Sequence, residues 1–341
     1  MQKANGDAFC ILLFISLSTF LRLPISECGR AQAMFIFGDS LIDNGNNNFI
    51  PTIAKANYLP YGIDYGFPTG RFCNGLTVTD YGAKLLGLPF PVPYLSLHSK
   101  TTEILKGVNY ASAAAGILDE TGRHYVNFAS GGRISFNGQI ALFAKTVTLQ
   151  LPLLIPNLKI FSREYTADAF ADLLISNFER QLKSLYMLGV RKMLLVGIGP
   201  LGCIPSQLFQ HNSTDGSCID LVNEQVSLFN ERLVPLLVKL NSTLPGSFFV
   251  YENIYDTFND LVQNPTNYGF IEKNQACCGS GKYGGQLSCL PLQVPCSQRD
   301  GFIFWDSFHP TQAANKIVAE RCYSPSATDC QPISGYMLAQ L

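Results

Sequence analysis

Short, wholly apolar runs alternate along this chain with longer stretches whose apolar residues recur at helical spacing. An apolar run without a polar face must be buried on both sides. Helices packed on both faces of a parallel sheet provide that cover. Residues 34–37 form the first such run, and 108–111, 193–196 and 248–251 follow it. Residues 76–86 and 134–145 read as helices. Residues 166–188 place Phe170, Leu174, Phe178, Leu182 and Leu185 on one helical face. Residues 219–240 are helical with Pro235 as a kink, and Pro310 opens a last helix over 311–322. No repeat, low-complexity tract or composition break marks a linker. The length allows one domain of about 300 residues or two small ones; a domain over 33–325 is expected, followed by a C-terminal tail over 326–341.

The first residues read differently. Lys3 precedes an apolar run over 8–21, followed by Arg22 and small residues. The run is short for a bilayer span, which takes about 20 apolar residues, and suits a secretory signal. The signal is expected over 1–28, its end falling between 24 and 33, and the mature chain has no other run long enough to span a membrane. Secretion, to the extracellular space or cell wall, agrees with cysteines concentrated in Gly- and Ser-rich loops of the C-terminal half. Cys203 with Cys218 is a plausible pair. Cys277, Cys278, Cys289 and Cys296 make two more bridges of open connectivity, or else a zinc site, against which the lack of a Cys-x-x-Cys pair weighs. Asn212 and Asn241 head glycosylation sequons. A net charge of −1 without basic clusters excludes nucleic acid as a partner class.

Two short stretches carry the chemistry. Ser40 follows the first apolar run in a Gly-Asp-Ser turn, beyond the carboxyl end of a strand, where α/β folds bind ligands. Alone, that serine reads equally as a helix cap. Of four histidines, His98 and His124 sit in polar loops and His211 beside a sequon. Only His309 has a carboxylate, Asp306, three residues before it. A serine, a histidine and an aspartate that orients it form the set an acyl-transferring hydrolase needs. No Gly-x-Ser-x-Gly elbow is present, which disfavours the usual α/β-hydrolase arrangement. Gly197-Ile198-Gly199-Pro200-Leu201-Gly202 matches a dinucleotide-binding pattern, but its prolines and Cys203 oppose the helix that pattern needs.

The stretches FGDSLIDNGNNN (37–48), GRFCNGLTVTD (70–80), GVNYASAAAGIL (107–118), LVGIGPLGCIP (195–205), ACCGSG (276–281) and FWDSFHPTQAAN (304–315) together resemble a plant-type GDSL esterase/lipase of the SGNH hydrolase superfamily. The resemblance covers the whole mature chain. It implies a flavodoxin-like three-layer α/β/α fold and hydrolysis of carboxylic esters through an acyl-serine, with no metal or organic cofactor. It assigns Ser40 as nucleophile, His309 as general base and acid, and Asp306 as its orienter. The oxyanion hole would use the N–H groups of Ser40 and Gly116 and an asparagine side chain.

That asparagine is where the match breaks. The family carries it in a Gly-x-Asn-Asp block after the third strand, but residues 146–161 contain no such block and are shorter than the family's interval. A central strand and an oxyanion donor are missing. Three explanations compete: a spliced or mis-assembled version of a normal enzyme, a genuine variant with impaired catalysis, or replacement of the strand by 147–155 and of the donor by Asn157. Pro152 and Pro156 weigh against the last. The expected function is a secreted, glycosylated serine esterase acting on small-molecule or polymeric acyl esters of lipids or cell-wall material. An acyltransferase of the same fold, a catalytically impaired ester-binding protein and, third, a nucleotide-dependent enzyme are the alternatives.

Overall fold

A computed structural model of the chain describes residues 10–15, 17–22, 31, 33–97, 102–122, 132–146 and 168–341. In chain order the strands and helices are β1 (Cys10–Ile15), β2 (Leu17–Arg22), β3 (Ala33–Phe37), α1 (Val78–Leu86), β4 (Val92–Pro93), β5 (Gly107–Asn109), α2 (Phe136–Lys145), α3 (Asp168–Met187), β6 (Val190–Val196), α4 (Pro205–Gln210), α5 (Asp220–Thr243), β7 (Phe248–Glu252), α6 (Ile254–Gln263), β8 (Glu272–Ala276), β9 (Gly279–Ser280), β10 (Leu287–Ser288), β11 (Phe302–Phe304), α7 (Gln312–Tyr323), β12 (Cys330–Gln331) and α8 (Gly335–Gln340).

Eight strands form the main sheet in the order β12-β7-β6-β2-β1-β3-β5-β4. The runs singled out in the sequence are its parallel framework: β3 pairs in parallel with β5, and β6 with β7. Every residue of β3 is buried. The pleat sends Phe35 and Phe37 into a core with Phe143 of α2, Leu182 of α3 and Leu233 of α5. It sends Met34 and Ile36 to the other face, against Ala83 of α1, Ala319 of α7 and Leu338 of α8. The molecule is therefore a three-layer α/β/α sandwich, and each fully buried phenylalanine contributes about 2–3 kcal/mol of hydrophobic stabilisation.

The centre of the sheet departs from the expected wholly parallel arrangement. The apolar run read as a secretory signal forms β1 and β2, an antiparallel pair lying between β3 and β6. β1 runs parallel to β3, with Leu13 opposite Phe35, and β2 antiparallel to β6, with Thr19 opposite Met193. These two strands stand in the middle of the sheet, where the sequence lacks a central strand. An uninterrupted apolar run fits a doubly covered strand as well as a signal core, so periodicity alone does not separate the two. Residues 147–155 and Asn157, the proposed replacements, lie outside the described residues.

Residues 326–341, expected as a tail, instead complete the domain. β12 pairs with β7, Cys330 is bridged to Cys322, and Leu338 and Ala339 are buried. Ala31 donates its N–H to the Ala339 carbonyl. The helix expected over 311–322 starts one residue later, at Gln312: Thr311, not Pro310, caps it, its hydroxyl accepting from the Ala314 N–H, and α8 follows it. Among the described residues no helix is long and apolar enough to cross a membrane.

Candidate active site

Ser40 follows β3 at the carboxyl end of the parallel strands. Its turn is held from beneath by Gln139 of α2, which is fully buried. The Gly38 N–H donates to Gln139 Oε1 at 2.9 Å, and Gln139 Nε2 donates to the Gly38 carbonyl at 2.8 Å. The Ser112 N–H donates to the same carbonyl at 3.0 Å. Beyond the serine, Asp43 gathers four backbone N–H groups, from Gly45, Asn46, Asn47 and Ala113. Burial pushes its carboxyl up to about 6 against the pull of those donors. Asn46 donates to the carbonyls of Asn109 and Ala111, and Asn47 to those of Ala54 and Ala113. The asparagine run thus pins the serine loop to the segment after β5. Gly45 is needed where this loop meets residues 69–70: its φ is +130°, and a Cβ on it would lie 2.6 Å from the Thr69 carbonyl oxygen.

The other half of the site comes from β11, which pairs with β8 outside the main sheet. It delivers Asp306, fully buried, and His309, 7% exposed. Asp306 Oδ1 accepts from the N–H groups of Phe308 and His309, both at 2.9 Å, so the loop folds around its own carboxylate. His309 Nδ1 lies 2.8 Å from Oδ1 and 3.0 Å from Oδ2. His309 Nε2 lies 2.7 Å from Ser40 Oγ. Burial pushes the Asp306 carboxyl upward, but the His309 charge and the hydrogen bonds from His309, Tyr61 and Phe308 outweigh it and hold the group below its ordinary value. An ionised carboxylate only accepts, so the proton between them sits on Nδ1 and leaves Nε2 free to accept from the serine hydroxyl. Phe72 lies against the imidazole, ring centroids 5.2 Å apart.

The structure brings Ser40, His309 and Asp306 into one hydrogen-bonded line. Gly116 lies in the segment after β5, its carbonyl accepting from the Phe136 N–H at the start of α2. Of the remaining histidines, His98 and His124 lie outside the described residues and His211 is exposed. Asn212 and Asn241 are both exposed. Asn241 Nδ2 already donates to the Phe249 carbonyl at 2.9 Å. The glycine pattern after β6 is filled from within: the N–H groups of Ile198 and Gly202 donate to the side chains of Asn230 and Asn223, and only a 3-10 turn and the short α4 follow. That leaves no free helix N-terminus for a pyrophosphate. Cys203–Cys218, Cys277–Cys296 and Cys278–Cys289 are disulfides, which resolves the open connectivity and takes those thiols from any zinc site. Cys322–Cys330 is a fourth. Sequence reasoning missed Gln139, Asn46, Asn47 and Tyr61, although the asparagine run itself was a visible signal.

Comparison with known proteins agrees with this geometry. The family model of the GDSL-like lipase/acylhydrolases matches residues 34–322. GDSL esterase/lipase 7 of Arabidopsis thaliana is 53% identical, over 91% of this chain and 93% of its own length. GDSL esterase/lipase At1g71250 of the same plant is 42% identical, over 98% of this chain and 96% of its own length. The alignment with the first runs over 343 positions yet uses 91% of a 341-residue chain, so about 33 of its positions have no counterpart here. A line of serine, histidine and aspartate on this sandwich, matched over most of its length, places the chain in the GDSL-like lipase/acylhydrolase family, as a carboxylic ester hydrolase.

Proposed function

We propose that the chain is a secreted serine esterase that cleaves acyl esters of lipid or cell-wall material through an acyl-serine. The observation that carries this reading is the unbroken contact line from Ser40 Oγ through His309 to Asp306. Ser40 Oγ attacks the ester carbonyl as its proton passes to His309 Nε2, and Asp306 stabilises the imidazolium. The N–H groups of Ser40 and Gly116 receive the oxyanion. His309 then gives the proton to the leaving alkoxide. Water, deprotonated by the same nitrogen, releases the acid and restores the serine. Leu41 is 43% exposed and Phe308 38%, so the residues next to Ser40 and His309 offer apolar surface to an acyl chain. Four disulfides and the plant relatives support an extracellular setting. A leader cleaved between 24 and 33 would remove β1 and β2, so the two uses of residues 10–22 exclude each other.

A second reading, an impaired ester-binding protein, is favoured by the absent Gly-x-Asn-Asp block and the roughly 33 unmatched positions. Loss of one oxyanion donor costs about 10²–10³ in rate. Hydrolysis of a short-chain p-nitrophenyl ester, with and without a competing alcohol, tests both. The proposal expects turnover that disappears in Ser40→Ala. Saturable ester binding without turnover would establish the second reading, and acyl transfer to the alcohol in preference to water would identify an acyltransferase.

A further inference from the structure

We propose that Tyr61 is a positioning residue for ester hydrolysis, holding Asp306 through a hydrogen-bond line that runs on to Ser288. The inference rests on the roles given above to Ser40, His309 and Asp306. Tyr61 is 2% exposed, and its hydroxyl lies 2.5 Å from Asp306 Oδ2 and 3.3 Å from Ser288 Oγ. Asp306, held ionised, only accepts, so the single Tyr61 proton goes to Oδ2. Ser288 must then be the donor to Tyr61, and that donation strengthens the tyrosine's own.

The contacts on the two carboxylate oxygens differ. Oδ1 takes the Phe308 and His309 N–H groups and the shorter contact to Nδ1. Oδ2 has Tyr61 and the longer one, at 3.0 Å. Without the tyrosine hydroxyl, nothing but Nδ1 would fix Oδ2, and the carboxylate plane that aims the imidazole at Ser40 would loosen. The tyrosine itself is held: its ring packs on Phe72 and Trp305, with centroids 6.0 and 6.2 Å away, and its N–H donates to the Tyr58 carbonyl. Ser288 sits in β10, paired with β9 and next to the Cys278–Cys289 bridge. Burial, with Asp306 beside it, raises the phenol well above its ordinary value, so it stays a donor across any assay range. The other titratable groups acting here are Tyr58 and Cys73, on Asp306, and Asp39 from the serine turn, on His309.

Tyr61→Phe removes one oxygen and keeps the ring. A carboxylate with one donor fewer holds the imidazolium proton more firmly, so the acidic limb of kcat/KM moves to higher pH, by about half a unit. kcat/KM on the p-nitrophenyl ester falls about tenfold with KM little changed. Ser288→Ala shifts both in the same direction by less, and reads the same line should the phenylalanine variant not fold. If Tyr61→Phe folds with kcat/KM within about twofold of wild type and an unmoved limb, the proposal is overturned. Should wild type show no turnover, the esterase reading fails separately. The pH titration of the His309 Nδ1–H resonance by NMR then still decides: a displaced titration in Tyr61→Phe supports the positioning role, and an identical one refutes it.

Discussion

Glu252, the last residue of β7, is 1% exposed, and its Oε2 has no hydrogen-bond partner among the described residues. Burial, reinforced by the charge of Asp329, pushes its carboxyl from the ordinary 4.5 up to about 8. A folded-state value above the unfolded one means that folding favours the protonated form. The associated stability is complete below pH 4.5 and is lost as pH rises toward 8. At 1.36 kcal/mol per unit, the full swing is about 4–5 kcal/mol. Glu252→Gln keeps the shape and cannot ionise. Urea unfolding of both proteins, disulfides intact, at several pH values from about 4 to 9 measures the difference. The expected result is a wild type that loses ground steadily against the glutamine variant as pH rises through this window. A stability difference that stays flat across the range would refute the reasoning, since it would mean that Glu252 ionises in the folded protein without cost.

Two further perturbations probe the frame of the site. Asp80 receives Arg71 bidentately, at 2.7 and 2.8 Å, with both side chains buried. Asp80→Asn leaves an uncompensated guanidinium and is expected to cost about 3–5 kcal/mol in urea unfolding, and to lower activity because Arg71 leads into the Phe72 contact with His309. A loss below about 1 kcal/mol would contradict the buried-pair account. A chain beginning at Ala31 lacks β1 and β2, which leaves one edge of β3 and one edge of β6 without a neighbour. It is expected to unfold at lower urea than the chain that retains Cys10–Arg22. Equal midpoints would show that the sheet does not depend on them.

How far the sequence could be read depended on range. The strand before Ser40 and the helices over it were legible because both are local patterns, an unbroken apolar run and a period of 3.6. Asp306 and His309 were legible because they are three residues apart beside a helix start. Tyr61 and Gln139 were not, since their partners lie 245 and 101 residues away and nothing local marks a tyrosine as bound to the Asp306 loop or a glutamine as bound to the serine turn. Cys322–Cys330 closes only eight residues, but it lies where a polar ending reads as a tail. The apolar run near the start resists reading for a physical reason: a signal core and a strand covered on both faces make the same demand, that every side chain avoid water.

The central claim is that Ser40 is the nucleophile, activated by His309. A fluorophosphonate ester forms a stable covalent bond to an activated serine and releases fluoride. Peptide mass spectrometry of the folded, labelled protein therefore reads the claim directly. The account predicts an adduct on Ser40 that is lost in His309→Asn. An adduct elsewhere, or none from protein shown to be folded, would contradict it.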